Sequence, residues 1–418
     1  MIAALRDRFT LARRLARALS AIGADAIASS LGRALPLSPR ALTRPARFGR
    51  LLRDAGSGMH GLPLRPEAVV PTALESPSSN CRNTIFEIAW RGDGGNATDA
   101  PKRLFVKQPC ADLPTRLFAN VIGFWKIECA FCRNLARAVP IAVPRIYAVA
   151  ERRSRFIIVM ENLLDRPDTR LFVNRDLLEG IDAERATRCL RTLARLHAQF
   201  AGWAPANRER ALPLDLHPFL SPSLGPIMLA INRLAVAPCH ERARDVFDGE
   251  AAALYRRALE HWGALSQAWY REPLTLVHGD SHLGNFFEAG DEMGMIDFQG
   301  AHWSKGIRDV QYLLINSMRP ERLAEHEREL VAGYCEERSR LGAPLGADEG
   351  FDQYRGFSFQ TLMTAVVSLG LGSFTDSDAV VRVMLERAVA ATRRLGFAAW
   401  LDARIALSPR DHSAARSR

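Results

Sequence analysis

Hydrophobic positions follow two different spacings in the two parts of the chain. Before residue 161 the pattern predicts strands, and a helical stretch at 114–138 interrupts them. After a polar break at Glu161–Asp165, apolar residues recur mostly at helical spacing. The predicted strands are Val69–Thr72, Thr84–Trp90, Arg103–Lys107 and Arg155–Met160, and the later helices are 183–203, 310–318, 321–341, 348–371 and 378–404. The fold class that follows is α+β, with a small β-rich part and a larger, mostly helical part.

One stretch of the helical part has strand spacing again. Two short runs, Asn285–Glu288 and Met293–Ile296, predict the strands of a hairpin with a tight turn between them. Asp280 and Asn285 lie where the loop enters the hairpin, and Asp297 follows the second strand. Because a hairpin brings its two ends together, we expect these three polar side chains to converge at one end of it.

Two carboxylates and a carboxamide in this arrangement suit phosphoryl transfer. Mg²⁺ prefers oxygen ligands and keeps bound phosphates as partners, so Asn285 and Asp297 are candidate metal ligands. Asp280 is then the candidate base that accepts the proton of an attacking hydroxyl. A polar loop with a capping Asp is the structural alternative.

Length and composition limit the class of protein. A chain of 418 residues is too long for one ordinary core, and no apolar run approaches the length of a membrane span. The first twenty residues lack the pattern of a secretory signal, and the seven scattered Cys indicate reduced thiols, so we expect a cytoplasmic protein. Cys129 and Cys132 form a lone C-x-x-C inside a helical pattern and are interpreted as small core residues, with a metal or redox role as the alternative.

The positive charge is concentrated at the N-terminus. Residues 1–54 contain eleven Arg and three Asp, a net charge of +8 out of +10 for the whole chain. The high pI therefore does not indicate a nucleic-acid-binding face. A helical stripe in this arm leaves several readings open: a membrane-surface helix, contact with an acidic partner, a transit peptide, or a helix packed on the domain. The stripe consists of Leu5, Phe9, Ala12, Leu15, Leu19 and Ile22.

Lysine is rare in this chain, with four Lys against 52 Arg. Lys107 lies in an apolar strand, where a compact charge on a long stem can reach a phosphate. Glu128 lies among apolar residues and Cys on its helix, so we expect it to face inward and to need a partner. Lys107 is the candidate for that partner, and a plain surface charge at Glu128 is the alternative.

Ser78 and Ser79 belong to a polar turn before the strand Thr84–Trp90. A turn of small residues can lay backbone N–H groups over phosphates. This turn lacks the glycines of a P-loop, so by itself it indicates an ordinary hairpin.

Taken in order, these segments resemble the aminoglycoside phosphotransferase and choline kinase superfamily, which has the bilobal protein-kinase-like fold. Within it, the chain looks most like the ecdysteroid-kinase-like (CHK kinase-like) group and its bacterial relatives, over roughly residues 60–400. His278–Asn285 (HGDSHLGN) resembles the catalytic loop and Ile296–Gln299 (IDFQ) the metal-binding motif. The helix around Glu128, Met160–Leu163 and Arg195–Ala198 resemble the E-x-x-F-Y helix, the hinge and the L-H-A helix.

The resemblance implies an ATP site. Lys107, held by Glu128, would contact the α- and β-phosphates, and Ser78 and Ser79 would cover them. Backbone groups of Glu161 and Leu163 would bind the adenine.

For the loop, the resemblance implies that Asp280 is the catalytic base and that Asn285 and Asp297 ligate Mg²⁺. His278 and Asp309 would brace the loop, whereas from the residues alone Asp309 is a helix cap. The covering loop lacks glycine and Cys132 replaces the usual Tyr, but Asp280, Asn285 and Asp297 are all present, so we expect an active kinase.

The expected organisation is a basic arm (1–56), an N-lobe (57–162), a C-lobe (163–407) and a disordered tail (408–418). The leading hypothesis is an ATP-dependent phosphotransferase that acts on a small-molecule hydroxyl. Only eight residues, Phe298–Lys305, separate Asp297 from Gly306, which leaves little room for the activation loop of a protein kinase.

Two other functions compete with this hypothesis. His278, Asp280 and His282 could be metal ligands of a hydrolase, although no further His/Asp cluster completes a shell. The chain could also be an inactive nucleotide-binding scaffold of the same fold.

The acceptor is open among three classes: an aminoglycoside in an acidic pocket, choline in an aromatic cage, or a lipophilic alcohol in an apolar cleft, which the resemblance favours. Four tryptophans are available for a cage: Trp203, Trp262, Trp269 and Trp303.

Overall fold

The computed structural model describes residues 2–55, 65–72, 81–91, 100–372 and 378–407, without the side chains of residues 2–9, 174 and 378. The turn with Ser78 and Ser79 and the tail from residue 408 lie outside the described residues.

Five antiparallel strands form an N-terminal sheet in the order β1-β2-β3-β5-β4. Successive residues of the central strand point to opposite faces. Leu104 and Val106 pack beneath Phe48 of helix α2, whereas Phe105 and Lys107 line a cleft on the other face. The bounds are α2 Pro45–Ala55, β1 Arg65–Thr72, β2 Cys81–Arg91, β3 Arg103–Pro109, β4 Ile146–Arg152 and β5 Arg155–Glu161.

The helical stretch expected at 114–138 is two helices, not one. Helix α3 (Leu113–Ile122) ends at Gly123, and α4 (Phe124–Asn134) begins immediately after it. Gly123 has φ 87°, a left-handed conformation that ends a helix and that glycine adopts at little cost. The break turns α4 across the cleft face of the sheet, where it carries Glu128.

Helices dominate the chain after residue 161, so the α+β class with a small sheet and a mostly helical remainder is confirmed. The region 204–271 contains four of the α-helices. The bounds are α5 Asn174–Glu179, α6 Ala183–Phe200, α7 Pro205–Ala211, α8 Gly225–Arg242, α9 Gly249–Glu260, α10 Trp262–Tyr270, α11 Ile307–Ser317, α12 Pro320–Arg340, α13 Ala347–Leu371, α14 Asp378–Arg394 and α15 Phe397–Leu407.

Two small antiparallel sheets lie between these helices and the N-terminal sheet. One has the order β6-β8-β9, and the other pairs β7 with β10. Asn285, expected in the first hairpin strand, lies instead in a 3₁₀ turn just before it, because the loop closes on itself there. The bounds are β6 Thr169–Leu171, β7 Thr275–Val277, β8 Phe286–Ala289, β9 Glu292–Met295 and β10 His302–Ser304.

The N-terminal arm begins with a long helix, α1 (Ile2–Ser30), that packs on both α3 and α8. Ala18 joins an apolar cluster with Val121 of α3 and with Leu224 and Ile227 at the start of α8. Of the stripe noted in the sequence, Ile22 faces the protein, whereas Leu15 and Leu19 are exposed. Among the described helices, none is both long enough and apolar enough to cross a bilayer.

Candidate active site

Lys107 joins two carboxylates that come from different parts of the chain. Its Nζ donates to Glu128 Oε1 at 2.7 Å and to Asp297 Oδ1 at 3.0 Å. The side chains of Lys107 and Glu128 are 7% and 6% exposed, whereas that of Asp297 is 27% exposed. The Lys107–Glu128 pair is therefore shielded from water, and Asp297 connects it to the open cleft.

Burial and charge act in opposite directions on this triad. Burial alone would lower the pKa of Lys107, but the negative charges of Asp297 and Glu128 outweigh it and hold the pKa well above the ordinary value. Burial raises the pKa of the Glu128 carboxyl to about 7, Lys107 opposes that rise, and the Asp297 charge adds to it. Lys107 is therefore a fixed cation at the inner end of the cleft.

Asp297 has an unusual backbone conformation. Its φ of 62° and ψ of 63° are left-handed, and it immediately precedes a 3₁₀ turn, Phe298–Gly300. The Phe298 ring stacks on Phe131 of α4, with centroids 3.7 Å apart, and lies 4.5 Å from the ring of His278. This packing holds the strained residue in place, a situation that is common at functional sites.

The loop before the hairpin brings Asp280 and Asn285 together. Asn285 Nδ2 donates to the Asp280 backbone oxygen at 2.7 Å and to its carboxylate at 3.1 Å. On the other strand, the Ile296 N–H donates to the Asn285 carbonyl at 2.9 Å. The hairpin therefore places Asp297 beside the Asp280–Asn285 pair.

Asp309 and His278 hold this loop from below. The buried Asp309 carboxylate accepts the N–H groups of His278 at 2.6 Å and of Gly279 at 3.1 Å. Burial alone would raise the pKa of Asp309, but its hydrogen bond with His197 and the charge of Arg308 bring the pKa well below its usual range. Asp309 is thus an anchor for the loop backbone, not just a helix cap.

Both ring nitrogens of His278 are used inside the loop. Nδ1 accepts the Asp280 N–H at 3.2 Å, and Nε2 donates to the Ile296 carbonyl at 2.8 Å. Burial lowers the pKa of His278, which keeps the ring neutral. Because His278 has no lone pair left for a metal, the geometry speaks against the hydrolase alternative. Within the described residues, no three His, Cys, Asp or Glu side chains form a group that could hold a metal ion.

A cavity of about 210 Å³ lies between the N-terminal sheet and the hairpin. Lys107, Glu128 and Asp297 line one end of it, and the end of β5 with the residues that follow, Glu161 to Leu163, lines the other. The other lining residues are mostly apolar, which suits a flat ring system at that end.

The Glu161 side chain is already engaged within the protein. Its carboxylate pairs with Arg166 at 2.6 Å and accepts the Arg145 N–H at 3.1 Å. The Glu161 N–H also donates to the Arg145 carbonyl at 2.8 Å, so neither its carboxylate nor its N–H is free for a ligand. Leu163 begins a 3₁₀ turn, Leu163–Asp165, so its N–H has no partner within that turn.

At the end of the cavity lined by Lys107 and Asp297, oxygen atoms suited to a divalent cation remain. Asn285 uses its amide nitrogen on Asp280, which leaves its oxygen as an acceptor, and Asp297 engages one carboxylate oxygen with Lys107. The hard oxygen donors that remain fit Mg²⁺.

Sequence reasoning missed two contributors to the site. Tyr312, buried on α11, lies close enough to Asp280 that burial and the Asp280 charge raise the pKa of its phenol. The sequence carries no signal for this contact, because a tyrosine is ordinary on a buried helix. Asn162 lines the cavity, and its buried amide nitrogen has no hydrogen-bond partner. No sequence pattern marks that amide.

Residues 125–344 match the model of a family described as the phosphotransferase enzyme family. A search of curated proteins found no match. Among solved structures, a choline/ethanolamine kinase family protein from Mesorhizobium loti is 16% identical, with 82% of this chain and 92% of that chain covered and a TM-score of 0.42.

Two further structures are similar over most of the chain. A choline kinase from Cryptosporidium parvum Iowa II is 12% identical, with 81% and 92% of the two chains covered and a TM-score of 0.48. A GDP complex of an aminoglycoside 2′-phosphotransferase is 12% identical, with 85% and 100% covered and a TM-score of 0.49.

Proposed function

This chain belongs to the phosphotransferase enzyme family, and from that premise we propose that it transfers the γ-phosphate of ATP to a hydroxyl group of a small molecule. The observation that carries the proposal is the double contact of Lys107 with Glu128 and Asp297, next to the Asp280–Asn285 pair. A cation fixed by two carboxylates at the inner end of a cleft is suited to hold phosphate oxygens.

The nucleotide would lie along the cavity. Its adenine would occupy the apolar end, within reach of the backbone carbonyl of Glu161 and the N–H of Leu163. Its α- and β-phosphates would meet Lys107, and Glu128 would keep that cation in position. Ser78 and Ser79 are still predicted to cover the phosphates.

Asn285 and Asp297 would hold Mg²⁺. When bound, the ion would neutralise charge on the phosphate oxygens. The role of the chain itself is to fix these two oxygen donors, through the Asp280 contact to Asn285 and the Lys107 contact to Asp297.

Asp280 would accept the proton of the attacking hydroxyl. A bond forms between the acceptor oxygen and the γ-phosphorus, and the bond from that phosphorus to the bridging β–γ oxygen breaks. The products are a phosphate monoester, ADP and a proton that leaves through Asp280. His278 and Asp309 would hold the loop backbone so that Asp280 stays in position at the cleft.

A small-molecule acceptor is favoured by how the chain continues after Asp297. The eight residues Phe298–Lys305 are used up by a 3₁₀ turn and strand β10, and α11 begins at Ile307. No length remains there for a loop that docks a protein substrate.

The tryptophans do not favour a choline cage. Trp269 and Trp303 are buried, and Trp203 and Trp262 pack against them at ring distances of 6.0 and 5.5 Å. With this possibility weakened, an aminoglycoside-like and a lipophilic alcohol remain, and we propose the lipophilic alcohol on the resemblance to the CHK kinase-like group.

The deciding experiment is a screen for Mg²⁺-dependent ADP release with a library of alcohols, followed by Asp280→Asn with the best acceptor. Loss of the base should lower kcat by about 10²- to 10⁴-fold while nucleotide affinity changes little. Asp291→Asn, in the exposed hairpin turn, is the matched control and should behave like wild type.

Other results would change the conclusion. Unaltered turnover in Asp280→Asn would remove Asp280 as the base. Nucleotide binding without any turnover across the library would favour the scaffold alternative. Asp297→Asn should lose the Mg²⁺ dependence of nucleotide binding, and if it did not, the metal assignment would be wrong.

A further inference from the structure

Large apolar side chains lie exposed on α1 and just beyond it. Their exposed fractions run from 38% to 68%, at Leu11, Leu15, Leu19, Ile27 and Leu31. These side chains recur every four residues, with a gap at Gly23, and four residues are more than one helical turn, so the series shifts around the helix by about 40° at each step. Leu15, Leu19 and Ile27 share one face, together with the exposed Ala12, Ala16 and Gly23. A continuous apolar patch of this kind marks an interaction surface more often than scattered exposed leucines do. We call Leu15, Leu19 and Ile27 the outer stripe.

The opposite side of α1 is fixed to the protein. Asp25, fully buried, accepts hydrogen bonds from the Ser154 N–H at 3.0 Å and from its hydroxyl at 2.5 Å. Arg14 donates to the Val121 carbonyl at 2.6 Å and to Ser223 Oγ at 2.8 Å. The helix therefore cannot roll to hide the outer stripe without breaking these contacts.

The charge around the outer stripe has one sign. Arg13 and Arg17 are exposed and lie one turn apart beside it. Along residues 10–30, where the side chains are described, Asp25 is the single acid and it is buried. An apolar face with a basic border and no exposed acid is the pattern of a helix that lies in a lipid interface.

We propose that α1 lies flat on an anionic lipid surface, with the outer stripe at the acyl boundary and Arg13 and Arg17 on headgroup phosphates. A second copy of the chain would cover the stripe less well, because a two-fold interface places the same basic border against itself. Anionic headgroups instead neutralise that border. The inference is independent of the phosphotransfer reaction.

The test is co-sedimentation of the full-length protein with lipid vesicles. Vesicles of phosphatidylcholine with about one-third phosphatidylglycerol should bind the protein at least about tenfold better than pure phosphatidylcholine vesicles, and added salt should weaken that binding. Leu15→Gln/Leu19→Gln should lower the binding about tenfold or more while keeping helix propensity. Arg13→Gln/Arg17→Gln should remove most of the preference for anionic lipid.

Matched variants separate the outer stripe from general surface effects. Leu341→Gln/Leu407→Gln removes two exposed leucines elsewhere, and Arg233→Gln/Arg256→Gln removes two exposed arginines of α8 and α9. Both should bind anionic vesicles as wild type does, and all four variants should unfold at the wild-type temperature.

Three results would overturn the proposal. One is failure of the wild-type protein to sediment with anionic vesicles. Another is equal loss of binding in the control variants. The third is a dimer in sedimentation velocity that disappears in Leu15→Gln/Leu19→Gln, because the stripe would then belong to a second copy.

Discussion

Lys107 depends on two acceptors, and each of them depends on it. Removing the cation leaves Glu128 buried and Asp297 next to it without a counter-charge. The loss of one member of a buried ion pair typically costs ~3–5 kcal/mol, more than the intact pair contributes. The residue should therefore matter for folding as well as for the nucleotide.

Lys107→Met should lower the free energy of unfolding by ~3 kcal/mol in urea titrations at neutral pH and should abolish detectable nucleotide binding. Lys102→Met, at an exposed position close to the start of the same strand, should change neither. Lys107→Met/Glu128→Leu should recover part of the lost stability but not the binding. Stability costs that simply add in this double variant would mean that the two side chains are not coupled.

At this scale the sequence was informative where a residue type was out of place. A lysine in an apolar strand and a glutamate on an apolar helix face each require a partner, and they are partners in the structure. Tyr312 gave no such signal, because a tyrosine on a buried helix is ordinary in any core. Its relation to Asp280 comes from the approach of α11 to the loop, which local spacing does not encode.

At the scale of elements, the loop His278–Asn285 and the turn after Asp297 touch through two glycines. Gly279 has φ 83°, and a Cβ built on it would lie 1.8 Å from the Gly300 carbonyl oxygen. Neither backbone can move easily, since Asp309 holds one and the stacked Phe298 begins the other. The absence of a side chain at Gly279 sets how close the two halves of the site come.

Gly279→Ala should therefore separate these halves without removing any reacting group. We expect a loss of roughly 3 kcal/mol or more in stability and a fall of about 10²-fold in kcat, because small displacements of reacting groups are costly. Gly290→Ala is the matched control, since Gly290 also has positive φ (62°) but open space around it. It should lose only ~1 kcal/mol and keep kcat. Equal effects in the two variants would show that backbone strain matters and the contact does not.

The boundaries of elements were less predictable than their existence. The hairpin and its turn followed from strand spacing and a glycine. The division of 114–138 at Gly123 did not, because apolar positions continue at helical spacing across the break. A glycine inside a helical pattern can either be tolerated or end the helix, and here contact of α4 with the sheet decides between them.

For the whole molecule, helix α1 joins the two parts of the fold at a place away from the cleft. Ala18 of α1 packs between Val121 and Leu224, and Arg14 bonds to Val121 and Ser223, which come from opposite sides of the cleft. The sequence predicted a helix here but left its placement open. The docked side holds a buried Asp25 and the small Ala18 and Ala28, which no apolar-stripe analysis selects.

Acidification should unfold the molecule through its buried imidazoles. Burial lowers the pKa of His197, His217, His278 and His302. For His302 the pKa falls to about 3, because burial and the neighbouring Arg308 charge both lower it. The Gly300 carbonyl and the Asp309 charge raise this pKa, but by too little to offset the fall. The His217 ring lies 4.8 Å away and carries no compensating negative charge.

The sign follows from proton uptake. In the unfolded chain these rings bind protons near pH 6.5, whereas the folded protein holds them neutral, so the stability they contribute is complete above pH 6.5 and is lost as the pH falls towards the folded pKa. His302→Asn removes one such group while an amide N–H replaces the Nδ1–H that donates to Gly300. Between pH 6 and pH 4.5, the free energy of unfolding of this variant should fall less steeply than that of wild type, by up to ~1.4 kcal/mol per pH unit. Urea titrations at several pH values measure both slopes, and parallel lines would mean that His302 is already protonated in the folded protein or is not buried as described.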